Sequence, residues 1–188
     1  MDEFVPIAGR LGQLLVETPG GEPHLEFFIE IDFADGEFDD EPGTPFLRIN
    51  HLRAPGRSWR SLADLSWGGD GEAAEALDAT MLLFRVSNPV EVKSLTLGGF
   101  EEGGRIFAAW QLVADFESEA DRDELEEVVI DLAEVALQLQ PLRVSTRLEK
   151  QLRGDEAATR QAVAPVVDLQ DYGALEKVQG GYAFPPKT

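Results

Sequence analysis

The sequence predicts an α+β fold: a mostly antiparallel sheet of about five to seven strands, one main helix at about residues 118–140 packed on it, and shorter helices. Two patterns carry this prediction. Several segments alternate apolar and polar residues with period two, which is typical of strands that bury one face. One segment instead repeats apolar residues at three- and four-residue spacing, which is typical of a helix. The sequence lacks the regular alternation of strands and helices that is expected of a doubly wound nucleotide-binding fold.

A β-hairpin is predicted near the N-terminus. Two strand-like runs, residues 11–17 and 25–33, flank the Gly- and Pro-rich segment 19–23. In the second run every other side chain is apolar, so we expect one face of this strand to be buried and the other to be largely solvated. The apolar set is Leu25, Phe27, Ile29, Ile31 and Phe33.

Later segments are also predicted as strands. Residues 46–52 follow an acidic loop, and residues 106–116 alternate throughout. Residues 90–97 also have apolar side chains at every second position, with a shift of this pattern near Ser94. Residues 72–83 begin with an alanine-rich, helix-like stretch and end in an apolar run, so the change of structure is expected within them.

The main helix is predicted to begin at Ser118. Ser118 and Asp121 have the spacing of a capping box, with Asp in place of the usual Glu or Gln. Acidic residues follow in the first turns, where the helix dipole stabilises negative charge. Pro141 is predicted to end the helix, and residues 142–148 to form a final strand. The apolar positions of the predicted helix are Leu125, Val128, Val129, Leu132, Ala136 and Leu139.

We expect residues 1–153 to form a single α+β domain and residues 154–188 to form a C-terminal extension. A short helix is predicted at residues 155–163, because Pro165 would interrupt a longer one. The extension still carries apolar side chains, so it is expected to pack along the domain. These are Val166, Val167, Leu169, Tyr172, Leu175 and Phe184.

The net charge is the strongest functional indicator in the composition. The 188 residues include 36 acidic and 16 basic side chains, for a formal net charge of −20. Such a surface repels nucleic acid phosphates and anionic lipid, so we expect a basic protein partner, and neither nucleic acid nor membrane. Salt adaptation is an alternative source of the acidity. Twelve Arg against four Lys indicate a GC-rich bacterial genome.

Cysteine is absent, which excludes disulfides, thiolate nucleophiles and cysteine-bound metal centres. The sequence has no run of about eighteen apolar residues that would span a membrane as a helix. It begins Met1-Asp2-Glu3, unlike the basic start of a secretory signal peptide. We therefore expect a cytoplasmic protein.

No catalytic residue, metal site or cofactor is predicted. The acidic loop 35–41 has oxygen ligands at alternate positions, but not in the order of an EF-hand. There is no Gly-x-Ser-x-Gly elbow, and the glycine-rich segments 68–71 and 98–104 lack the lysine or the spacing of a phosphate loop. His24 and His51 lie too far apart in sequence for a zinc motif, although strand pairing is an alternative way to bring them together.

Partner-binding residues are predicted in two stretches of opposite charge. The first is the acidic loop. The second holds arginines and Trp59 with no acidic residue among them, and Arg and Trp are enriched at binding hot spots. An alternative is that these arginines pair with acids of the same chain. The predicted partner-binding residues are Asp35, Glu37, Asp39, Asp40, Glu41, Arg53, Arg57, Trp59 and Arg60.

Two acidic blocks shape the functional hypotheses. Residues 22–41 hold nine acids and no base, and residues 101–134 hold twelve acids against Arg105 and Arg122. The leading hypothesis is a non-enzymatic protein-binding module, of an immunity or inhibitor type, whose acidic face engages a basic partner. The second is an enzyme or small-ligand carrier with a pocket between sheet and helix. The third is a structural or assembly subunit that forms homo-oligomers.

Overall fold

The computed structural model describes residues 4–17, 22–38, 41–68, 77–83, 85–117, 125–152, 155–179 and 181–188. Strands dominate this part of the chain. They are β1 Pro6–Glu17, β2 Pro23–Phe33, β3 Gly36–Phe38, β4 Glu41–Gly43, β5 Phe46–Leu52, β6 Ser66–Gly68, β7 Asp78–Leu83, β8 Val86–Phe100, β9 Arg105–Glu117, β10 Leu125–Val144, β11 Glu176–Val178 and β12 Gly181–Phe184. The helices are α1 Thr146–Leu152 and α2 Glu156–Val163, with short 3-10 turns at Trp59–Leu62 and Leu169–Asp171.

Seven of these strands close into a barrel. Their order is β1-β2-β5-β7-β8-β9-β10, with antiparallel neighbours, and β10 then pairs with β1 in parallel. β6 pairs with β8, β12 and β11 continue from β10, and β3 and β4 form a separate two-stranded ribbon. The predicted α+β fold is therefore wrong. The chain is mostly β, and a strand replaces the helix that was expected to pack on the sheet.

The segment predicted as the main helix is strand β10 wherever the structure describes it. Residues 118–124, which include the predicted capping box, lie outside the described residues. A β-bulge explains the misleading pattern, because the register of β10 against β9 shifts between Leu132 and Val135. Inward side chains fall at even positions before the bulge and at odd positions after it. Val128, Leu132, Val135 and Leu139 thereby acquire the spacing of a helix face.

Pro141 lies inside β10 and ends no helix. It coincides with a second irregularity, at which the register between β1 and β10 shifts. Proline has no N–H to donate, so it is tolerated in a strand where the ladder is interrupted. β10 includes residues 142–144 of the segment that was predicted as a final strand. Helix α1 begins at Thr146, so the strand predicted over residues 142–148 is wrong from that point on.

Several predicted strands are confirmed. β1 and β2 form the predicted hairpin, and β5 and β9 occupy two further segments predicted as strands. The slip predicted near Ser94 is a register shift of β8 against β9. Within residues 72–83, Asp78–Leu83 is strand β7, and residues 69–76 lie outside the described residues.

The inward side chains of the barrel strands form the core. Along β2 the alternation predicted from sequence is confirmed, since Phe27, Ile29, Ile31 and Phe33 are buried. Burying one such side chain stabilises the fold by about 1.5–3 kcal/mol. The fully buried aliphatic residues on the other strands include Leu11, Leu15, Leu47, Ile49, Leu95, Leu97, Ile106, Leu112 and Leu137.

The C-terminal segment joins the same core. Helix α2 confirms the short helix predicted there, and the carboxylate of Asp155 caps it by accepting a hydrogen bond from the N–H of Ala158. β12 pairs with the end of β10, and Phe184 on β12 is fully buried. The residues that follow the barrel therefore contribute large side chains to its interior.

A buried tyrosine fastens this segment to the barrel. The hydroxyl of Tyr172 donates to the side-chain oxygen of Gln13 at 2.5 Å, and the Gln13 amide donates to the carbonyl of Gln140 at 2.7 Å. Burial raises the pKa of Tyr172 above its ordinary value. A chain of hydrogen bonds thus links the C-terminal segment, β1 and β10.

Candidate functional site

Strand β10 is paired on both sides along only part of its length. Residues 138–144 lie between β1 on one side and β9 or β12 on the other. Residues 125–137 pair with β9 alone, and no strand in the described part of the chain pairs with their other edge. β1 shows the matching gap, since residues 6–9 pair only with β2. We call the opening between residues 6–9 of β1 and residues 125–137 of β10 the seam.

Gly9 marks the point at which the two strands diverge. A methyl group on Gly9 would lie 2.5 Å from the carbonyl oxygen of Ala136, so glycine is what allows β1 to come this close to β10. Beyond that point both strands are irregular. β1 shifts register against β2 near its start, and β10 has the bulge described above, at which Glu134 has a φ of 56°. Bulges bend strands and interrupt pairing, which accounts for the seam.

Large apolar side chains are exposed on both strands of the seam. Ile7 on β1 is 67% exposed, Val129 on β10 is 56% exposed, and Val5, just before β1, is 48% exposed. Single exposed apolar residues are common on protein surfaces, but these three flank one unpaired stretch of sheet. Their neighbour Phe4 is buried, and its ring meets that of Phe33 edge to face at 5.6 Å. The start of β1 is therefore held against the barrel.

The seam carries an uncompensated negative charge. Asp131 and Glu134 are exposed on β10, and residues 106–142 contain ten acids and one base, Arg122. Within the described residues, neither carboxylate forms a salt bridge. The seam thus combines a free strand edge, exposed apolar side chains and negative charge.

A different arrangement occupies the outer face of β1, β2 and β5. Arg10 on β1 donates to Asp32 at 2.7 Å and to Glu30 at 3.2 Å, and Arg48 on β5 donates to Glu30 at 2.9 Å. The hydrogen bond with Asp32 raises the pKa of Arg10 above its ordinary value. The Arg48 guanidinium also lies over the ring of Phe28, 4.5 Å from its centre. The charges on this face neutralise one another, and we call it the paired face.

His24 and His51 meet at one carboxylate beside the paired face. Nε2 of His24 lies 2.8 Å from one oxygen of Glu26, and Nδ1 of His51 lies 3.4 Å from the other. A bulge in β5 brings His51 there, and its backbone has a φ of 59°. Strand pairing therefore unites the two histidines, as the alternative interpretation of the sequence allowed. Among the described residues, no group of three or more His, Asp or Glu is arranged to hold a metal ion.

The acidic loop predicted to bind a partner folds in part as the β3–β4 ribbon. Asp35 lies just before β3 and is exposed, and its carboxylate accepts a hydrogen bond from the hydroxyl of Thr44. Glu37 lies on β3 and Glu41 on β4, whereas Asp39 and Asp40 lie outside the described residues.

A cleft of about 530 Å³ adjoins this ribbon, at the end of β7. It has the volume of a small-molecule site, but its two charged groups are of opposite sign and select no ligand class. The pocket expected between the sheet and the main helix does not form as predicted, because the described part of that segment, from Leu125 onward, is strand β10. The cleft is lined by Asp35, Pro42, Gly43, Thr44, Leu82 and Arg85.

Arg60 and Trp59 are engaged with the C-terminal segment of the same chain. Arg60 donates to the carboxylate of Asp171 at 3.1 Å and to the carbonyl of Lys187 at 2.8 Å. Its guanidinium lies 4.1 Å from the centre of the Trp59 ring. The Trp59 side chain is buried, so these groups form an internal contact of the fold.

Arg57 takes part in the same attachment. It donates to the carbonyl of Ala164 at 2.6 Å and lies 3.9 Å from the carboxylate of Asp168. Arg57 and Arg60 thus form the intrachain contacts that the alternative hypothesis for these arginines predicts. Arg53 is exposed in the loop after β5.

No sequence pattern distinguishes the residues of the seam. Ile7 and Val129 lie in segments whose other apolar residues are core residues, and no motif distinguishes them. Arg10 belongs to no motif either, but its position next to the predicted hairpin is a usable signal. Arg10 lies one residue before the predicted hairpin, and the observed register of β1 and β2 places it opposite Glu30, where an ion pair across two strands is expected.

Comparison with protein-family models, with curated proteins and with solved structures found no match for this chain. None of the helices among the described residues is long and apolar enough to cross a membrane.

Proposed function

We propose that this protein is a non-enzymatic protein-binding module that engages a basic partner protein at the seam. The observation that carries the proposal is the contrast between two sets of carboxylates. Glu30 and Asp32 on the paired face are neutralised by arginines of the chain. Asp131 and Glu134 at the seam have no such cation in the part of the chain that the structure describes.

Charge complementarity explains how such a module would select its partner. A net charge of −20 steers a positively charged protein toward the surface and raises the association rate. Exposed apolar side chains such as Ile7 and Val129 then contribute affinity when contact removes them from water. We favour an immunity- or inhibitor-type role, in which the module neutralises a basic protein.

The proposal is tested with an oligolysine peptide as the cationic probe and isothermal titration calorimetry as the readout. The test variant carries Asp131→Asn and Glu134→Gln. The matched control carries Glu102→Gln and Glu176→Gln, two exposed acids outside the seam, so both variants lose the same net charge. We expect the seam variant to weaken binding by about tenfold and the control by about twofold, since nearby charges contribute most.

Salt provides the second arm of this test. Binding at about 10 mM ionic strength is expected to be lost at about 1 M, where the screening length falls to about 3 Å. Equal weakening by the two variants would contradict the proposal, because it would mean that total charge alone attracts the probe. Absence of binding by the wild-type chain at low salt would contradict it as well.

A further inference from the structure

We propose that the basic partner binds by adding an extended segment as a β-strand along the free edge of β10, inside the seam. This inference rests on the proposed function and specifies its binding mode. The free edge is the first observation behind it. Residues 125–137 of β10 pair with β9 on one side only, so a row of backbone N–H and C=O groups on the other side has no strand partner among the described residues. Such a row is a template for another strand.

The length of the edge suits one added strand. The bulge of β10 begins after Leu132, and Glu134 within it has a φ of 56°, which interrupts a regular ladder. The stretch from Leu125 to Leu132 is therefore the part that can template pairing, and it exceeds the typical strand length of about 5–6 residues. An added strand would end where β1 closes onto β10, at Gly9.

The side chains along the edge define the chemistry of the segment. Val128 and Ile130 are buried on the inner face of β10, so inward positions of the added strand would meet apolar groups. Asp131 is exposed on the outer face beside Val129, so outward positions would meet a carboxylate and an apolar contact. Because strand side chains alternate, the segment that fits has apolar residues on one face and Lys or Arg on the other.

A second copy of the chain fits this edge poorly. Pairing two β10 edges would bring together two copies of the segment 125–132, which carries Glu126, Glu127 and Asp131 and no base, and like charges on paired strands are destabilising. Each copy also carries a net charge of −20. Charge complementarity therefore selects a basic partner segment over self-association.

Two synthetic peptides of about ten residues test the inference. The first alternates Lys and Val. The second has the same lysines, but proline replaces two central valines, so it keeps the charge and cannot complete a strand ladder. We expect the alternating peptide to bind the full chain about tenfold more tightly than the proline peptide. We also expect it to slow backbone hydrogen exchange in residues 125–132, measured by NMR or mass spectrometry.

The outcomes separate failure of the inference from failure of the proposed function. If both peptides bind equally and Asp131→Asn with Glu134→Gln weakens both, the basic-partner function stands and strand addition is overturned. If neither peptide binds, both proposals are overturned. If residues 125–132 become protected with increasing protein concentration in the absence of peptide, the occupant is a second copy, which overturns the basic-segment proposal.

Discussion

Strand β10 consists of two stretches with different surroundings. In residues 138–144, which we call the closed stretch, Gln138, Leu142 and Arg143 have strand partners on both sides. The carbonyl of Gln140 in this stretch accepts the hydrogen bond from Gln13 that continues to Tyr172. Residues 125–137, which we call the open stretch, have β9 on one side and the seam on the other. Both stretches bury alternate apolar side chains, so the hydrophobic pattern is shared. The two stretches differ in whether the second backbone edge of β10 has a strand partner among the described residues.

This difference separates stability from recognition within one strand. In the closed stretch, β1 and β12 already occupy both backbone edges at Leu142 and Arg143, so a partner strand cannot pair there without displacing one of them. The open stretch keeps its backbone edge, Val129 and Asp131 accessible. Binding surfaces on rigid scaffolds are commonly built in this way, with an accessible element held by a well-packed one.

The largest expected effect compares one apolar truncation in each stretch. Phe184→Ala removes a fully buried ring from β12, which pairs with the closed stretch, and is expected to cost about 3–5 kcal/mol of unfolding free energy. Val129→Ala removes a side chain that is 56% exposed on the open stretch, and is expected to change stability by about 0.5 kcal/mol or less. Urea unfolding followed by circular dichroism measures both. Similar losses would show that the open stretch is packed as tightly as the closed one.

The junction between the two stretches gives the next effect. Gly9→Ala places a methyl group 2.5 Å from the backbone oxygen of Ala136, which cannot swing aside as a side chain would. We expect a loss of about 1–3 kcal/mol, together with faster hydrogen exchange in residues 138–144 as β1 moves away from β10. Gly99→Ala is the control, because no atom lies within 4 Å of the added methyl group. A stable Gly9→Ala variant with unchanged exchange would contradict this account of the junction.

The sequence predicts the closed parts of the barrel better than the seam, for a physical reason. In β2 the alternation is unbroken, so the buried face from Phe27 to Phe33 follows directly from the period. In β10 the bulge between Leu132 and Val135 changes the phase of the same alternation, and two strand phases joined in this way resemble one helical period. No local pattern encodes the parallel pairing of β1 with β10, which joins residues far apart in the sequence.

The candidate site was predictable only in its charge. The acidic block that contains Asp131 and Glu134 is visible in the sequence, but its position along a free strand edge depends on the register of β10. For the segment with Arg57 and Arg60, in contrast, the sequence suggests a binding site where the structure has intrachain contacts. Its contrast with the acidic surroundings resembles a binding patch, and only the folded chain brings Asp168 and Asp171 next to it.

The stability at alkaline pH reports on the buried hydrogen bond between Tyr172 and Gln13 that holds the C-terminal segment to the closed stretch. Burial raises the pKa of Tyr172 above its ordinary value of 10.0, so above about pH 10 the unfolded chain loses this proton while the folded chain keeps it. The folded state then binds more protons, and its stability falls as pH rises, by up to about 1.4 kcal/mol per pH unit. This contribution is fully present below pH 10 and is lost as pH rises toward the pKa of the folded state.

Tyr172→Phe is expected to remove that alkaline slope while costing about 1 kcal/mol at neutral pH, because Gln13 loses a hydrogen bond. Tyr182→Phe is the matched control, because it also removes a tyrosine hydroxyl but leaves the hydrogen bond between Tyr172 and Gln13 in place. Unfolding free energies measured from pH 8 to pH 11 give the comparison. An unchanged slope in Tyr172→Phe would mean that another group produces the alkaline sensitivity.

The smallest expected effect compares one carboxylate from each kind of surface. Glu30→Gln removes the acid that Arg10 and Arg48 share on the paired face, and is expected to cost about 1 kcal/mol or less, since these groups are partly exposed. Asp131→Asn removes an acid that has no cationic partner among the described residues, and is expected to leave stability unchanged or to raise it slightly by relieving repulsion. The two changes in unfolding free energy, which have opposite signs at low salt, should both approach zero at about 1 M salt. A loss of stability in Asp131→Asn equal to that in Glu30→Gln would place a cation near the seam, and the free carboxylate needed to attract a basic partner would then be missing.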